Sequence, residues 1–306
     1  MKKTFYSNGK LLITGEYVVL DGANALALPT KFGQSLETEP IEAPSIIWKS
    51  LDVNGNIWLD VTIKLKEIAL PLKKEARNDA KEITQLISIL KEAKKLNPNF
   101  LNNSSGYSVF TKLDFPRNWG LGSSSTLINN IASWAKVDAF KLLKNTFGGS
   151  GYDIAAAQKN KPILYSLTNN KPLIGEINLN WNFTEKLFFV HLNKKQNSSE
   201  AIKNYNLQKG GSSDLKNKIN RLTIQFINCK NLSQFEKLIT EHEQIISEIL
   251  QQQPVKELLF NDYKGSIKSL GAWGGDFILA TGAKDDWEYF RKKGYLTILS
   301  FKEMIL

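Results

Sequence analysis

Cysteine is almost absent from this chain of 306 residues, Cys229 being the only one. That excludes an internal disulfide scaffold and a cysteine-based zinc finger, and it fits a reducing compartment. Histidine is nearly as scarce: His191 lies in a strand-like run and His242 in an amphipathic segment. They are far apart and neither has a metal-ligand spacing such as HExxH, so both read as half-exposed structural histidines. No apolar run approaches the roughly 18 residues needed to cross a bilayer. The opening MKKTFYSNGKLLITGEYVVL has two lysines like a signal-peptide n-region, but Lys10 and Glu16 interrupt the apolar stretch and no small-residue cleavage site follows. The expectation is a mature cytoplasmic chain with no membrane partner. GxSxG, CxxC, Walker A and GxGxxG motifs are missing as well, which argues against a serine hydrolase, a thiol redox enzyme, a P-loop enzyme and a Rossmann dehydrogenase.

What is present describes a globular protein. Hydrophobic residues make up 42% and charged residues 23%, a balance unlike that of disordered or fibrous chains. The length exceeds the roughly 150 residues of an average domain and so suggests two domains or one unusually large one. Forty Lys and Arg against 30 Asp and Glu leave a net charge of +10, a field that attracts phosphate-bearing partners. The lysines are spread along the chain and no aromatic-basic motif is evident, so no nucleic-acid partner is expected.

Short runs alternating apolar and polar residues (KLLITGEYVVL, SIIWKS, NIWLDVTI) mark strands in the first 65 residues, separated by Gly, Pro and Asn. From 74 to 96 the period changes: Ile83, Leu86, Ile87, Leu90 and Ala93 recur at three and four, as on one face of a helix. YSVFTKLDF, ILYSL and EKLFFVHL read as further strands, and 213–229 and 232–251 as long amphipathic helices. Strands and helices without regular alternation indicate an α+β class. A boundary near residue 170, in SLTNNKPL, would divide the chain into domains 1–170 and 171–306.

Three glycine loops punctuate this pattern. PRNWGLGSSST (116–126) and GGSGYDIAAAQ (148–158) each open a helix, and SIKSLGAWGGDFILAT leads into a strand. In the first, small residues let backbone approach a ligand, and the helix start that follows presents unpaired N–H groups to anions. The helix dipole alone contributes only about 0.3–1 kcal/mol at an exposed site, so holding a triphosphate would also need a metal ion and a cationic side chain. An ordinary serine-capped helix after a flexible turn fits the same residues.

PRNWGLGSSST resembles the second motif, Pro-x(3)-GLGSS(A/S), of the GHMP kinases, the superfamily of galactokinase, homoserine kinase, mevalonate kinase and phosphomevalonate kinase. GKLLITGEYVVLDGANALALP (9–29) is similar to the first motif of the mevalonate and phosphomevalonate kinases, and GSGYDIAAA (149–157) to their Ser-Gly-x-Asp segment. KSLGAWGGDFILA (268–280) looks like the third motif, and the GYDI string resembles the GYDIA branch. The four occur in the family's order.

The resemblance implies a two-domain α+β fold with ATP and Mg²⁺ in the cleft between domains. It assigns Gly120, Leu121, Gly122, Ser123, Ser124 and Ser125 to the nucleotide phosphates, with Ser124 as a Mg²⁺ ligand. Gly271, Ala272, Gly274 and Gly275 would line the ATP site from the second domain. Asp153 matches the aspartate that orients or deprotonates the acceptor hydroxyl, and Lys10 the lysine that keeps it ionised; a nearby cation holds a carboxylate's pKa low. Read without the resemblance, Asp153 is equally the N-cap of the helix IAAAQ and Lys10 a strand-edge lysine.

Three departures from the family pattern stand out. Trp273 replaces a glycine of the third loop, where its indole would narrow the pocket or stack on a ligand. Leu142, with Leu143 and Lys144 beside it, stands where mevalonate kinases have a magnesium-binding glutamate. Asp276 follows the glycines, as in phosphomevalonate kinases. Lys194, Lys195, Ser198 and Ser199, in HLNKKQNSSEAIKNY, are candidates for contacting an anionic small-molecule acceptor. The expected activity is therefore phosphoryl transfer to an alcohol or phosphate acceptor of mevalonate or phosphomevalonate type. The alternative is a catalytically silent nucleotide- or metabolite-binding relative.

Overall fold

The computed structural model describes residues 1–69, 81–102, 105–194, 205 and 213–306. The chain divides into two compact units, each interrupted in sequence. Unit 1 comprises Met1–Gly9, Phe32–Arg117 and Gly122–Gln158; unit 2 comprises Lys10–Lys31, Asn118–Leu121 and Lys159–Leu306. The interleaving arises because strands β1 (Lys3–Thr14) and β2 (Ala25–Ile41) each run on from one unit into the other. A single cut near residue 170 would miss this, and the last passage of the chain between units falls after Gln158.

In unit 1 the later residues of β2 pair antiparallel with β5 (Gly106–Leu113), which lies parallel to β3 (Ser45–Leu51), and β3 pairs antiparallel with β4 (Ile57–Lys64). The two-residue period turns Ile46, Trp48 and Ser50 to the inside. Trp48 Nε1 donates to Ser50 Oγ at 3.0 Å and Thr111 Oγ1 donates to the same oxygen at 2.9 Å, so the buried polar atoms on this face are paired. A short α1 (Leu65–Ala69) follows β4. Helices α2 (Lys81–Leu96), α3 (Ser123–Ala135) and α4 (Ala139–Thr146) share the unit's apolar core with the sheet. Leu86, Ile87, Leu90 and Ala93 are buried, as their spacing requires; residues 74–80 of the expected helical span lie outside the described residues. The six-residue α5 (Tyr152–Ala157) packs on α3.

In unit 2 the start of β2 pairs with β6 (Ile163–Thr168), and β6 with β7 (Lys171–Glu176). A second, antiparallel sheet has the order β11 (Ile298–Ser300), β8 (Leu187–His191), β10 (Phe277–Thr281), β9 (Ile267–Ser269). All five residues of β8 are buried, and this explains its unbroken apolar run. The amphipathic α6 (Ser213–Ile227) and α7 (Leu232–Leu250) bury Ile219, Leu222, Phe226 and Phe235, Ile239, Ile246. The short α8 (Val255–Leu259), α9 (Trp287–Lys292) and α10 (Phe301–Met304) complete the unit. None of the described helices is long and apolar enough to cross a membrane.

Two local readings of the sequence change. The strand expected through YVVL ends at Thr14, and Val18–Asp21 form a 3₁₀ turn entered through Tyr17 at φ 60°. β2, in contrast, runs 17 residues through Pro29, Gly33 and Pro40. Proline lacks the N–H donor and has its φ fixed, but it keeps its acceptor, and the Pro29 carbonyl accepts a hydrogen bond from Leu306 N–H at 3.2 Å.

Gly106, the first residue of β5, is held where a methyl group would lie 1.8 Å from the Ser45 carbonyl oxygen and 2.3 Å from that of Ala43. Gly106→Ala is therefore expected to destabilise the protein by about 1–3 kcal/mol, the usual range for overpacking. Urea unfolding should show a lower midpoint at an unchanged slope; an unchanged midpoint would contradict the packing described.

Candidate active site

The residues assigned from sequence fall into two groups, one in each unit. In unit 1, α3 begins after Gly122, whose φ of 91° a side chain would rarely tolerate. The first helical bond runs from Thr126 N–H to the Gly122 carbonyl at 3.0 Å, so the amides of Ser123, Ser124 and Ser125 precede the intrahelical ladder. Glycine has no side chain to cap them, and the first turn contains no acid. The three serines differ. Ser125 is buried and donates to the Gly122 carbonyl at 2.8 Å, whereas Ser124 is exposed. Thr126 Oγ1 donates to Gln34 Oε1 at 2.7 Å and fixes the turn from beneath.

Asp153 lies in the first turn of α5, half-buried, with Gly151 at φ 90° as the N-cap. The capping alternative for Asp153 is thereby corrected: the chain enters α5 at Gly151, in a left-handed conformation that glycine adopts without strain, two positions before the aspartate. Gln158 Nε2 donates to Asn129 Oδ1 at 2.8 Å and ties the end of α5 to α3. Thus the serine helix and the aspartate helix are held as one piece.

In unit 2, Lys10 is a buried residue of β1, and its backbone N–H donates to the Leu121 carbonyl at 3.1 Å. Gly120 has φ 68°. A methyl group there would sit 2.3 Å from Asp276 Cγ, so the Asp276 side chain occupies the face that glycine leaves open. The third loop turns through four left-handed residues: Gly271, Trp273, Gly274 and Asp276. Ala272 is buried, and Gly275 completes the loop. Asp276 is fixed at its backbone, its N–H donating to the Lys194 carbonyl at 2.6 Å and its carbonyl accepting from Leu192 N–H at 2.8 Å. The Lys194 side chain is exposed; Lys195, Ser198 and Ser199 lie outside the described residues.

The expectation for Trp273 is that it narrows the pocket or stacks on a ligand; its side chain is instead packed into a core. Its indole is 1% exposed and packs with Tyr17, Val18, Tyr205, Ile219, Ile246 and Leu250 in the core of unit 2. Placing a bulky residue in the left-handed region costs about 1–2 kcal/mol. Burying even a Phe-sized side chain contributes about 1.5–3 kcal/mol, enough to hold it there.

Both histidines are buried, contrary to the half-exposed reading. His191 ends β8 with Nε2 3.1 Å from the Asn118 carbonyl. His242 belongs to a charged cluster that sequence reasoning missed. Lys268, 0% exposed, places its ammonium 2.7 Å from Glu16 Oε1, 3.3 Å from Glu243 Oε1 and 3.1 Å from the Ser269 carbonyl. Ser269 Oγ donates to Glu243 Oε2 at 2.6 Å, and His242 Nε2 lies 3.3 Å from Glu16 Oε2. Burial raises Glu16 to about 7 against the opposing pull of Lys268. It raises Glu243 also, and with the charge of Lys268 it keeps His242 neutral. The visible signals were Glu16, which interrupts the opening apolar stretch, and Lys268 between Ile267 and the third glycine loop.

Leu142, at the position of the missing glutamate, is fully buried in the core of unit 1, and Leu143 is buried beside it. Among the described residues no group of three or more His, Cys, Asp and Glu could hold a metal ion. A divalent cation would arrive with phosphate oxygens as its main ligands, which suits Mg²⁺, and the exposed Ser124 hydroxyl is a fitting single protein oxygen.

No family model matches the chain, and no curated protein sequence does. Solved structures do resemble it. Mevalonate kinase from Methanococcus jannaschii is similar with a TM-score of 0.70 at 16% identity, covering 98% of this chain and 97% of its own. Phosphomevalonate kinase from Streptococcus pneumoniae, in complex with phosphomevalonate and AMPPNP, has a TM-score of 0.68 at 15% identity, covering 98% and 100%. Galactokinase from Lactococcus lactis, complexed with galactose, has a TM-score of 0.70 at 14% identity, covering 98% and 92%. The chain therefore has the α+β fold of the GHMP kinases.

The ion cluster yields a pH dependence. Glu16 binds its proton more tightly in the folded chain, at about 7 against an ordinary 4.5, so its contribution is full below pH 4.5 and is lost as pH rises through 7. His242 acts in the opposite sense, costing stability as pH falls below its ordinary 6.5. Glu16→Gln removes the first effect and leaves the second. Relative to the parent, its stability should rise by up to roughly 3 kcal/mol between pH 5 and 8. Urea unfolding at four pH values reads this out; a constant difference would mean that Glu16 does not titrate.

Proposed function

We propose that the protein is an ATP-dependent small-molecule kinase that transfers a γ-phosphoryl group to an alcohol or phosphate acceptor. The observation that carries this reading is the open N-terminus of α3 behind Gly120 and Gly122, both at positive φ. Three serine amides there precede the hydrogen-bonded ladder, and the first turn of α3 itself contains no acid. The fold adds support, since similar structures include a mevalonate kinase from L. major in complex with R-mevalonate, the phosphomevalonate kinase with phosphomevalonate and AMPPNP, and the galactokinase with galactose.

In this reading Gly120 to Ser125 receive the phosphates, with Gly271, Ala272, Gly274 and Gly275 lining the nucleotide site. Mg²⁺, when bound with ATP, neutralises charge on the phosphates, and Ser124 would hold it. Asp153 orients the acceptor hydroxyl and accepts its proton, and Lys10 keeps that carboxylate ionised. Such a division of labour suits phosphoryl transfer, which needs chiefly positioning and charge stabilisation. The acceptor is anionic and of mevalonate or phosphomevalonate type, with Lys194 on its side of the site. A cytoplasmic place in a lipid-precursor route goes with that choice.

A second reading is a silent nucleotide-binding relative, favoured by the Asp276 side chain lying against Gly120 and by Leu142 in place of an acid. ATP consumption with mevalonate, phosphomevalonate, homoserine and sugars separates the two. Turnover with any acceptor supports the kinase, and nucleotide binding without turnover supports the relative.

Asp153→Asn is expected to lower kcat by about 10²–10⁴-fold, the range for a general acid–base group, with ATP affinity nearly intact. Asp153 does not cap α5, so the change should leave thermal stability close to that of the parent. Normal kcat at saturating ATP and acceptor would remove Asp153 from catalysis. Gly122→Val places a β-branched residue at φ 91° and should weaken Mg-ATP binding; a folded variant that binds as tightly as the parent would show that the loop is misassigned.

A further inference from the structure

Asn118–Leu121 pack with unit 2 although the chain on both sides, through Arg117 and from Gly122, belongs to unit 1. Each of its four residues is held by a contact within unit 2. Lys10 N–H holds the Leu121 carbonyl, and the Asp276 side chain fills the open face of Gly120. The Trp119 ring meets Phe277 edge-on at 5.3 Å and lies 6.3 Å from His191. Finally, the His191 ring places Nε2 3.1 Å from the Asn118 carbonyl. A carbonyl oxygen only accepts, so Nε2 carries the proton and donates. His191 is 3% exposed at the end of β8, and its ring is 5.0 Å from that of Phe277, so a sheet strand sets the position of this donor.

We propose that His191 is a positioning residue for nucleotide binding: by donating Nε2–H to the Asn118 carbonyl it fixes the start of the loop whose next residues, Gly120 to Ser125, receive the phosphates. This rests on the kinase reading above. His191 itself touches no phosphate and exchanges no proton in the reaction. Its work is done before the nucleotide arrives, because a loop already held in its binding conformation loses less freedom on association.

The test compares His191→Gln, whose amide can reach the Nε2 position and donate, with His191→Phe, which keeps a ring and removes the donor. Mg-ATP binding is measured by calorimetry and thermal unfolding is followed in parallel. His191→Phe is expected to bind Mg-ATP roughly tenfold more weakly, as for the loss of one buried hydrogen bond, and His191→Gln to stay within about twofold of the parent. Both should unfold within a few degrees of it. If the Phe variant does not fold, His191→Asn, whose amide falls short of the Asn118 carbonyl, takes its place with the same expectation. Equal Mg-ATP affinity in the parent and the donor-less variant overturns the proposal. So does a loss of affinity in the Gln variant that matches the other, since the donor would then be irrelevant. A parent that binds no Mg-ATP is a separate result, which defeats the kinase reading and this proposal with it.

Discussion

One ammonium group organises much of unit 2. Lys268 is fully buried and spends its three protons on Glu16, Glu243 and the Ser269 carbonyl. Removing one partner of such an arrangement typically costs about 3–5 kcal/mol, because an uncompensated charge stays behind in a dry interior. Glu16 follows Gly15 at the end of β1, Glu243 lies on α7, and Lys268 stands three residues before Gly271. The same few atoms thus connect the strand that bears Lys10, a long helix and the third glycine loop. Burial away from water is what drives Glu16 toward neutrality; Lys268 opposes the rise, and the second carboxylate, Glu243, adds a smaller push in the same direction as burial.

The fold was legible where a single physical rule governs the residues. Leu86, Ile87, Leu90 and Ala93 announced α2 through their spacing, and the continuous apolar run of β8 follows from burial of all five residues. Legibility failed where distant chain supplies the deciding contact. Nothing local says that β2 continues through two prolines, or that Tyr17 turns the chain into a 3₁₀ segment. His242 looked ordinary because the groups around it, Glu16 and Lys268, are 226 residues before and 26 after it. Trp273 looked like a ligand contact because sequence shows the loop but not the core against which it turns.

The glycine loops were the most readable part of the candidate site, and for a good reason. A positive φ is a demand that one residue type meets far more easily than the others, and it therefore leaves a mark in sequence at Gly120, Gly122, Gly151 and Gly271. Preference for one small molecule over another leaves no comparable mark in a sequence. The mevalonate kinase, phosphomevalonate kinase and galactokinase structures resemble the chain about equally well, with TM-scores of 0.70, 0.68 and 0.70. Selectivity of that kind depends on a few polar side chains and can change without disturbing any backbone turn.

The interleaving of the two units bears on the order in which the chain can mature during synthesis. Residues 10–31 emerge early, yet they belong to a unit whose remaining parts are 118–121 and 159–306. Thr14, for example, shares a 2.8 Å hydrogen bond with Thr223, more than 200 residues later. Unit 1 can gather its own strands and helices once Gln158 has left the ribosome, while the segment threaded through its start waits for the C-terminal half. A nascent chain halted between these two points would carry one finished unit and, joined to it, an apolar stretch containing Leu11, Ile13, Val18 and Leu26 with no core to enter.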